Sequence, residues 1–148
     1  MAKTGEKVGE TFSGRYRASL EAEYVPVAVK LVQMRAQEDQ RLLRLSNEVK
    51  ILRTLENSLH TVKLLKHFHT NANQFLVYEC CEGGPLTSHM AGQPVPIGEV
   101  HRILADLSAA LDSLYSHGVV HRDLCPENVW QTLGGTYKLW GFDQAMLN

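Results

Sequence analysis

The sequence has no run of roughly eighteen apolar residues, so no segment reads as a membrane-crossing helix. Its first ten residues, MAKTGEKVGE, are polar and contain no apolar stretch that would serve as a signal peptide. Only three cysteines are present, an odd number without metal-ligand spacing, which excludes a disulfide framework. Cys80, Cys81 and Cys125 are therefore expected as free thiols in a reducing compartment, and the chain as intracellular and cytoplasmic. Charge of one sign is also missing. Fifteen Lys plus Arg stand against sixteen Asp plus Glu, a net charge of −1 that offers no field for nucleic acid or an anionic membrane surface. What is there is ordinary for a folded chain: 148 residues, 44% hydrophobic and 21% charged, long enough to bury a core.

The first part reads as β-rich with one helix. Residues 25–32 are dense in β-branched side chains, and Pro26 suits the start or the edge of that strand. Strand alternation puts Val27, Val29 and Leu31 on one face and Ala28, Lys30 and Val32 on the other, so a lysine shares a face with apolar neighbours. Residues 37–55 are helical in pattern, with Leu42, Leu45, Val49 and Leu52 as the apolar stripe. Glu48 lies inside that stripe. A carboxylate facing a core needs a cation or a hydrogen bond, and Lys30 is the nearest upstream candidate; alternatively each side chain reaches to water.

Two strands follow at 62–68 and 74–78, joined by a turn rich in Asn and Thr. Glu82-Gly83-Gly84-Pro85 reads as a flexible hinge. The clearest helix is 97–116, with a stripe of Val100, Ile103, Leu104, Leu107, Leu111 and Leu114, and Gly118 suits a left-handed cap beyond it. Short strands at 129–133 and 136–140 form a hairpin around Gly134-Gly135. Trp130 and Trp140 on those strands are expected to pack on each other rather than form a ligand platform.

Several of these residues occur in an order that carries chemistry. Val27-Ala28-Val29-Lys30, then Glu48, then His121-Arg122-Asp123-Leu124 with Asn128 five residues after the aspartate, together resemble the eukaryotic protein kinases. Lys138-Leu139-Trp140-Gly141-Phe142-Asp143 follows where that family carries Asp-Phe-Gly, and 76–86 resembles its strand-to-hinge passage. The resemblance implies an α+β, bilobal fold, with a complete small β-rich lobe at 1–82 and only the start of a helical lobe at 83–148. It implies ATP and Mg²⁺ as cofactors and a protein as substrate or partner.

It also implies roles. Lys30 would hold the nucleotide phosphates and pair with Glu48, and Ala28 would pack on adenine. The backbone at Glu79 and Cys81 would bind the adenine edge, with Tyr78 behind it. Gly9 and Gly14 would belong to the phosphate loop. Asp123 would be the catalytic base and Asn128 a metal ligand. His121, Phe142, Leu52 and Leu64 would form the apolar column joining the lobes.

Four departures qualify these roles. Gly141 replaces the metal-binding aspartate and has no side-chain oxygen. In an extended segment Asp143 lies roughly 6–7 Å further on, more than Mg²⁺ coordination at about 2.1 Å tolerates. A slip in register would bring Asp143 to the metal but draw Phe142 from the column. The glycine loop loses at least one glycine, with Thr11 at the middle position or Phe12 at the tip, and nucleotide affinity should suffer. Cys125 stands where serine/threonine kinases usually have lysine. The sequence stops five residues after Asp143, so a piece of a longer protein is the expected origin, and the 97–116 helix is expected to lack packing partners.

Three readings follow, in descending order: a pseudokinase-like scaffold or regulator with weak nucleotide binding; an incomplete piece of a competent ATP-dependent kinase; and a fragment whose exposed apolar surface only binds proteins.

Overall fold

A computed structural model describes the chain over residues 10–34 and 39–148. Gly9 falls outside that range. The β-branched stretch forms β2 (Val25–Gln33), flanked by β1 (Glu10–Tyr16) and β4 (Asn73–Glu79), with β3 (Leu64–His69) beyond β4. All pairs are antiparallel in the order β1-β2-β4-β3. Pro26 sits at the start of β2, opposite Arg15, where a missing N–H costs least. Helix α1 (Asp39–Thr54) lies on this sheet and buries Leu45, Val49, Ile51 and Leu52. Each such side chain stabilises the fold by about 1.5–3 kcal/mol relative to exposure.

The glycine-proline segment read as a flexible hinge is tied down. Gly84–Pro85 forms the short strand β5 against β7 (Val129–Gln131), and the Gly83 N–H donates to the Gln131 carbonyl at 2.9 Å. A Cβ on Gly83 would stand 2.7 Å from that carbonyl oxygen, so close approach requires glycine there. Beyond a single helical turn, α2 (Leu86–His89), the long helix α3 spans Ile97–Ser116 and ends as expected, with Gly118 at φ +64°. Next, β6 (Val119–Val120) pairs with β9 (Met146–Leu147), while β7 pairs with β8 (Tyr137–Leu139) around the Gly134-Gly135 turn.

The stripe on α3 is covered only in part, as expected of a helix short of packing partners. Ile103, Ala110 and Leu114 are buried, whereas Leu104 and Leu111 are exposed at 57% and 41%. One core runs from α1 and the sheet into the second half, joining Leu52, Leu76 and Tyr78 to Leu114, Leu139 and Phe142. The Val62 N–H and the Leu139 carbonyl share a 3.0 Å hydrogen bond that stitches the halves together beneath the site. Among the described residues no helix is long and apolar enough to cross a membrane.

Candidate active-site cleft

A cleft of about 840 Å³ opens between the sheet and the β7–β8 hairpin. Its volume suits a ligand of drug or nucleoside size. Thr11, Phe12 and Ser13 form one wall, Ala28 and Lys30 the roof, and Tyr78, Cys80 and Cys81 the back. The segment aligned with a phosphate loop is a continuous ladder, from Glu10 opposite Leu31 to Tyr16 opposite Val25. Gly14 faces Val27 in that ladder, where a Cβ would make only ordinary contact at 3.6 Å. Among the described residues it is not part of the cleft wall.

Lys30 points inward as strand alternation requires and is 8% exposed. Its ammonium donates to Glu48 Oε2 at 2.8 Å and to Asp143 Oδ1 at 2.6 Å. Burial opposes the charge on Lys30, yet the two carboxylates outweigh it and hold the amine above its ordinary value. Glu48, 3% exposed, also accepts a 2.6 Å hydrogen bond from the Tyr78 hydroxyl. Burial and the adjacent Glu48 push that hydroxyl well above its ordinary value, so it stays protonated and donating. The resulting network satisfies Glu48 by one cation and one phenol, as a buried carboxylate demands.

Asp143 reaches Lys30 by a route the sequence does not disclose. Gly141 is left-handed, at φ 78° and ψ 48°, and Phe142–Gln144 is a single 3-10 turn. The segment is thus turned rather than extended, which brings Asp143 within hydrogen-bond reach of Lys30. Phe142 stays in the apolar column, 1% exposed, with its ring edge-on to His121 at 4.9 Å. Leu52 belongs to the same buried cluster, and Leu64 packs against it.

The loop carrying Asp123 is held at both ends. Arg122 is left-handed at φ 64°, and its guanidinium donates to the Gln144 carbonyl at 2.6 Å. Such a backbone costs a non-glycine residue roughly 1–2 kcal/mol, so the surrounding contacts must over-determine it. His121 donates from Nε2 to the Trp140 carbonyl at 2.8 Å, while Nδ1 accepts the Asp123 N–H at 3.3 Å. That pair of bonds requires a neutral ring. Burial drives the pKa of His121 below its ordinary value, beyond what the Trp140 carbonyl and nearby carboxylates restore.

Depression of this kind stabilises the fold above pH 6.5, and the contribution is lost as pH falls below it. The slope cannot exceed about 1.4 kcal/mol per pH unit for one proton. We expect the stability gap between the wild-type chain and His121→Gln, which keeps a donor and an acceptor, to change between pH 7 and pH 5 in urea titrations. An identical gap at both values would show that His121 does not titrate with folding.

Asn128 is the residue in which a metal ligand is expected. Its Nδ2 donates to the Asp123 carbonyl at 2.8 Å and to the Asp123 carboxylate at 3.0 Å. Its side chain lies over Gly141, so a Cβ at position 141 would meet Asn128 Cγ, Oδ1 and Nδ2 at 2.4–2.6 Å. Among the described residues no three His, Cys, Asp or Glu side chains converge as a metal set. The bonds from Asn128 use only its Nδ2, so its Oδ1 remains the oxygen that would face a metal, whereas Gly141 supplies no oxygen and Asp143 is bonded to Lys30.

The other half of the cleft is aromatic. Trp140 lies 5.3 Å from the Tyr78 ring and 5.4 Å from the Trp130 ring, and all three line the cavity. Trp130 Nε1 donates to the Glu127 carbonyl at 2.9 Å, and Trp140 Nε1 to Cys81 Sγ at 3.3 Å, which fixes both indoles. The two tryptophans do pack on each other, but that pair is also part of the cleft lining, a role sequence reasoning set aside. Glu79, expected to offer its backbone to a ligand, is not among the residues that line the cleft; its carboxylate accepts from the Lys138 amine at 2.7 Å and the Lys63 N–H at 2.9 Å. All three cysteines are free thiols, and burial pushes that of Cys81 up to about 11.

Comparison with known proteins agrees with this arrangement. A profile of the protein kinase domain matches residues 2–147. Serine/threonine-protein kinase 36 of Pongo abelii is 32% identical over 144 residues, covering 95% of this chain and 11% of that protein. The MAP kinase-interacting serine/threonine-protein kinase mnk-1 of Caenorhabditis elegans is 36% identical over 106 residues, covering 71% of this chain and 15% of the relative. Serine/threonine-protein kinase unc-51 of the same organism is 33% identical over 122 residues, covering 80% and 14%. The chain thus spans between about a tenth and a seventh of the length of these curated relatives. With its sheet, its Lys30–Glu48 pair, its Asp123 loop and that match over nearly its whole length, the chain belongs to the protein kinase domain family.

Proposed function

We propose that the chain is the cleft-bearing portion of a pseudokinase-type regulator, a kinase fold that engages a protein partner without metal-dependent phosphoryl transfer. One observation carries this reading: Gly141 lies against the Asn128 side chain, and Asp143, two residues on, is bonded to Lys30. Phosphoryl transfer by this family needs both the lysine–glutamate pair and a metal held by the Asp-Phe-Gly aspartate. The first is present. For the second, Gly141 carries no side-chain oxygen, and Asp143 is engaged by Lys30. Lys30, Asp123 and Asn128 on this reading keep the architecture of the cleft rather than perform turnover, with the backbone at Cys81 and the glycine-loop strand closing it. Nucleotide binding is weak and independent of Mg²⁺. The free cysteines and near-neutral charge favour an intracellular, cytoplasmic setting, with neither nucleic acid nor membrane as partner.

The competing reading, a competent serine/threonine-type kinase seen in part, draws support from the intact Lys30–Glu48 pair and from Phe142 seated on His121. Incubating the chain with labelled ATP, Mg²⁺ or Mn²⁺ and a basic protein substrate separates the two. No transfer above that of Asp123→Asn is expected; transfer that Asp123→Asn abolishes would establish the enzyme.

A further inference from the structure

The Lys30 ammonium carries three donors, and two are already spent on Glu48 and Asp143. Glu48 belongs to the buried network with Tyr78. Asp143 is different: its side chain is 37% exposed, it comes from a separate part of the chain, and it approaches Lys30 from the cleft side. Among the described residues, the charged side chains lining the cavity are Lys30 against Glu48, Glu127 and Asp143. An incoming phosphate would therefore meet a lysine already neutralised and a carboxylate beside it, and like charges at such range repel. The aromatic half carries no such obstacle, because the half-buried Trp130 and Trp140 line it with indole surface, backed by the buried Tyr78 ring.

We propose that Asp143 occupies on Lys30 the position a phosphate would take, so that the cleft selects an uncharged, flat aromatic ligand of nucleoside size over a nucleoside triphosphate. This rests on the pseudokinase-type reading of the same cleft. The preference comes from the chain itself and needs no partner. It makes Asp143 a specificity-determining residue: neutralising it frees Lys30 for phosphate while leaving the aromatic half as it was.

The test is a calorimetric titration of the chain with adenosine, with ATP in chelator, and with ATP plus Mg²⁺, repeated on Asp143→Asn. Adenosine is expected to bind wild type at least as tightly as metal-free ATP. Asp143→Asn should tighten metal-free ATP by tenfold or more while moving adenosine by less than twofold. Asp143→Ser, which removes the carbonyl as well, should behave likewise, and thermal melts of both variants check that they fold. Metal-free ATP binding tenfold tighter than adenosine to wild type would overturn the inference. So would an unchanged ATP affinity in both variants, or no saturable adenosine binding up to millimolar concentration. Tight binding confined to ATP plus Mg²⁺ would instead sink the pseudokinase-type reading itself, and the inference with it.

Discussion

Lys30→Met is expected to destabilise the chain by about 3–5 kcal/mol, the cost of stripping one partner from a buried ion pair. Glu48, 3% exposed, would keep only the Tyr78 hydroxyl and would carry an uncompensated charge into the core. Asp143 adds little to that figure, because its partly exposed carboxylate turns to water when the lysine is lost. Glu48→Gln should cost less, since the amide oxygen still accepts from Tyr78 and Lys30 still pairs with Asp143. In the double variant the penalties should not add, with a coupling of about 0.5–3 kcal/mol in a urea-denaturation cycle. A Lys30→Met loss below about 1 kcal/mol would mean the pair is not buried as described. The same network sets the alkaline limit. Lys30 and Tyr78 both have raised values, so their contribution is complete below about pH 10, where the unfolded tyrosine begins to ionise, and is lost as pH rises further.

Gly141→Ala should lower stability by about 2–4 kcal/mol, a large effect for one methyl group. Two costs combine: a left-handed φ of 78° strains any residue with a Cβ by roughly 1–2 kcal/mol, and Asn128 must rotate away from contacts of 2.4–2.6 Å. Rotation breaks its hydrogen bonds to Asp123, worth about 1–3 kcal/mol when one partner is charged. In an Asn128→Ala background the second cost vanishes, so Gly141→Ala should then cost only the backbone strain. Equal penalties in the two backgrounds would show that Asn128 does not pack on Gly141. For the same reason Gly141→Asp alone should not restore a metal site, because the new carboxylate would compete with Asn128 for one space.

The parts of the site that were legible in the sequence are those with a local signature. A lysine on the apolar face of a β-branched strand and a glutamate inside a helical stripe each break their own element's pattern, and the fold joins them at 2.8 Å. Gly118 beyond a strongly periodic helix likewise marked its end, because only the helix's own spacing was needed. Non-local contacts were not legible. That Asp143 would reach Lys30, 113 residues away, depends on a left-handed glycine followed by a 3-10 turn, and no residue pattern distinguishes that from an extended segment. The cleft role of Trp130 and Trp140 was hidden for a related reason. Strand alternation tells which side chains share a face, not which face the other half of the molecule leaves open. Leu104 and Leu111 are exposed, in line with a helix expected to be short of packing partners, although the stripe alone could not say which of its leucines would be left uncovered.

Thermal unfolding of the chain with ATP alone and with ATP plus Mg²⁺ tests the central claim most directly. Ligand at a hundred times its dissociation constant raises stability by about 2.7 kcal/mol, which is visible as a shift of the midpoint. The account predicts that any shift with ATP is the same in the presence and absence of Mg²⁺. A shift that appears only with Mg²⁺ and vanishes in Lys30→Met would contradict it, and would return a metal-dependent kinase cleft to the chain.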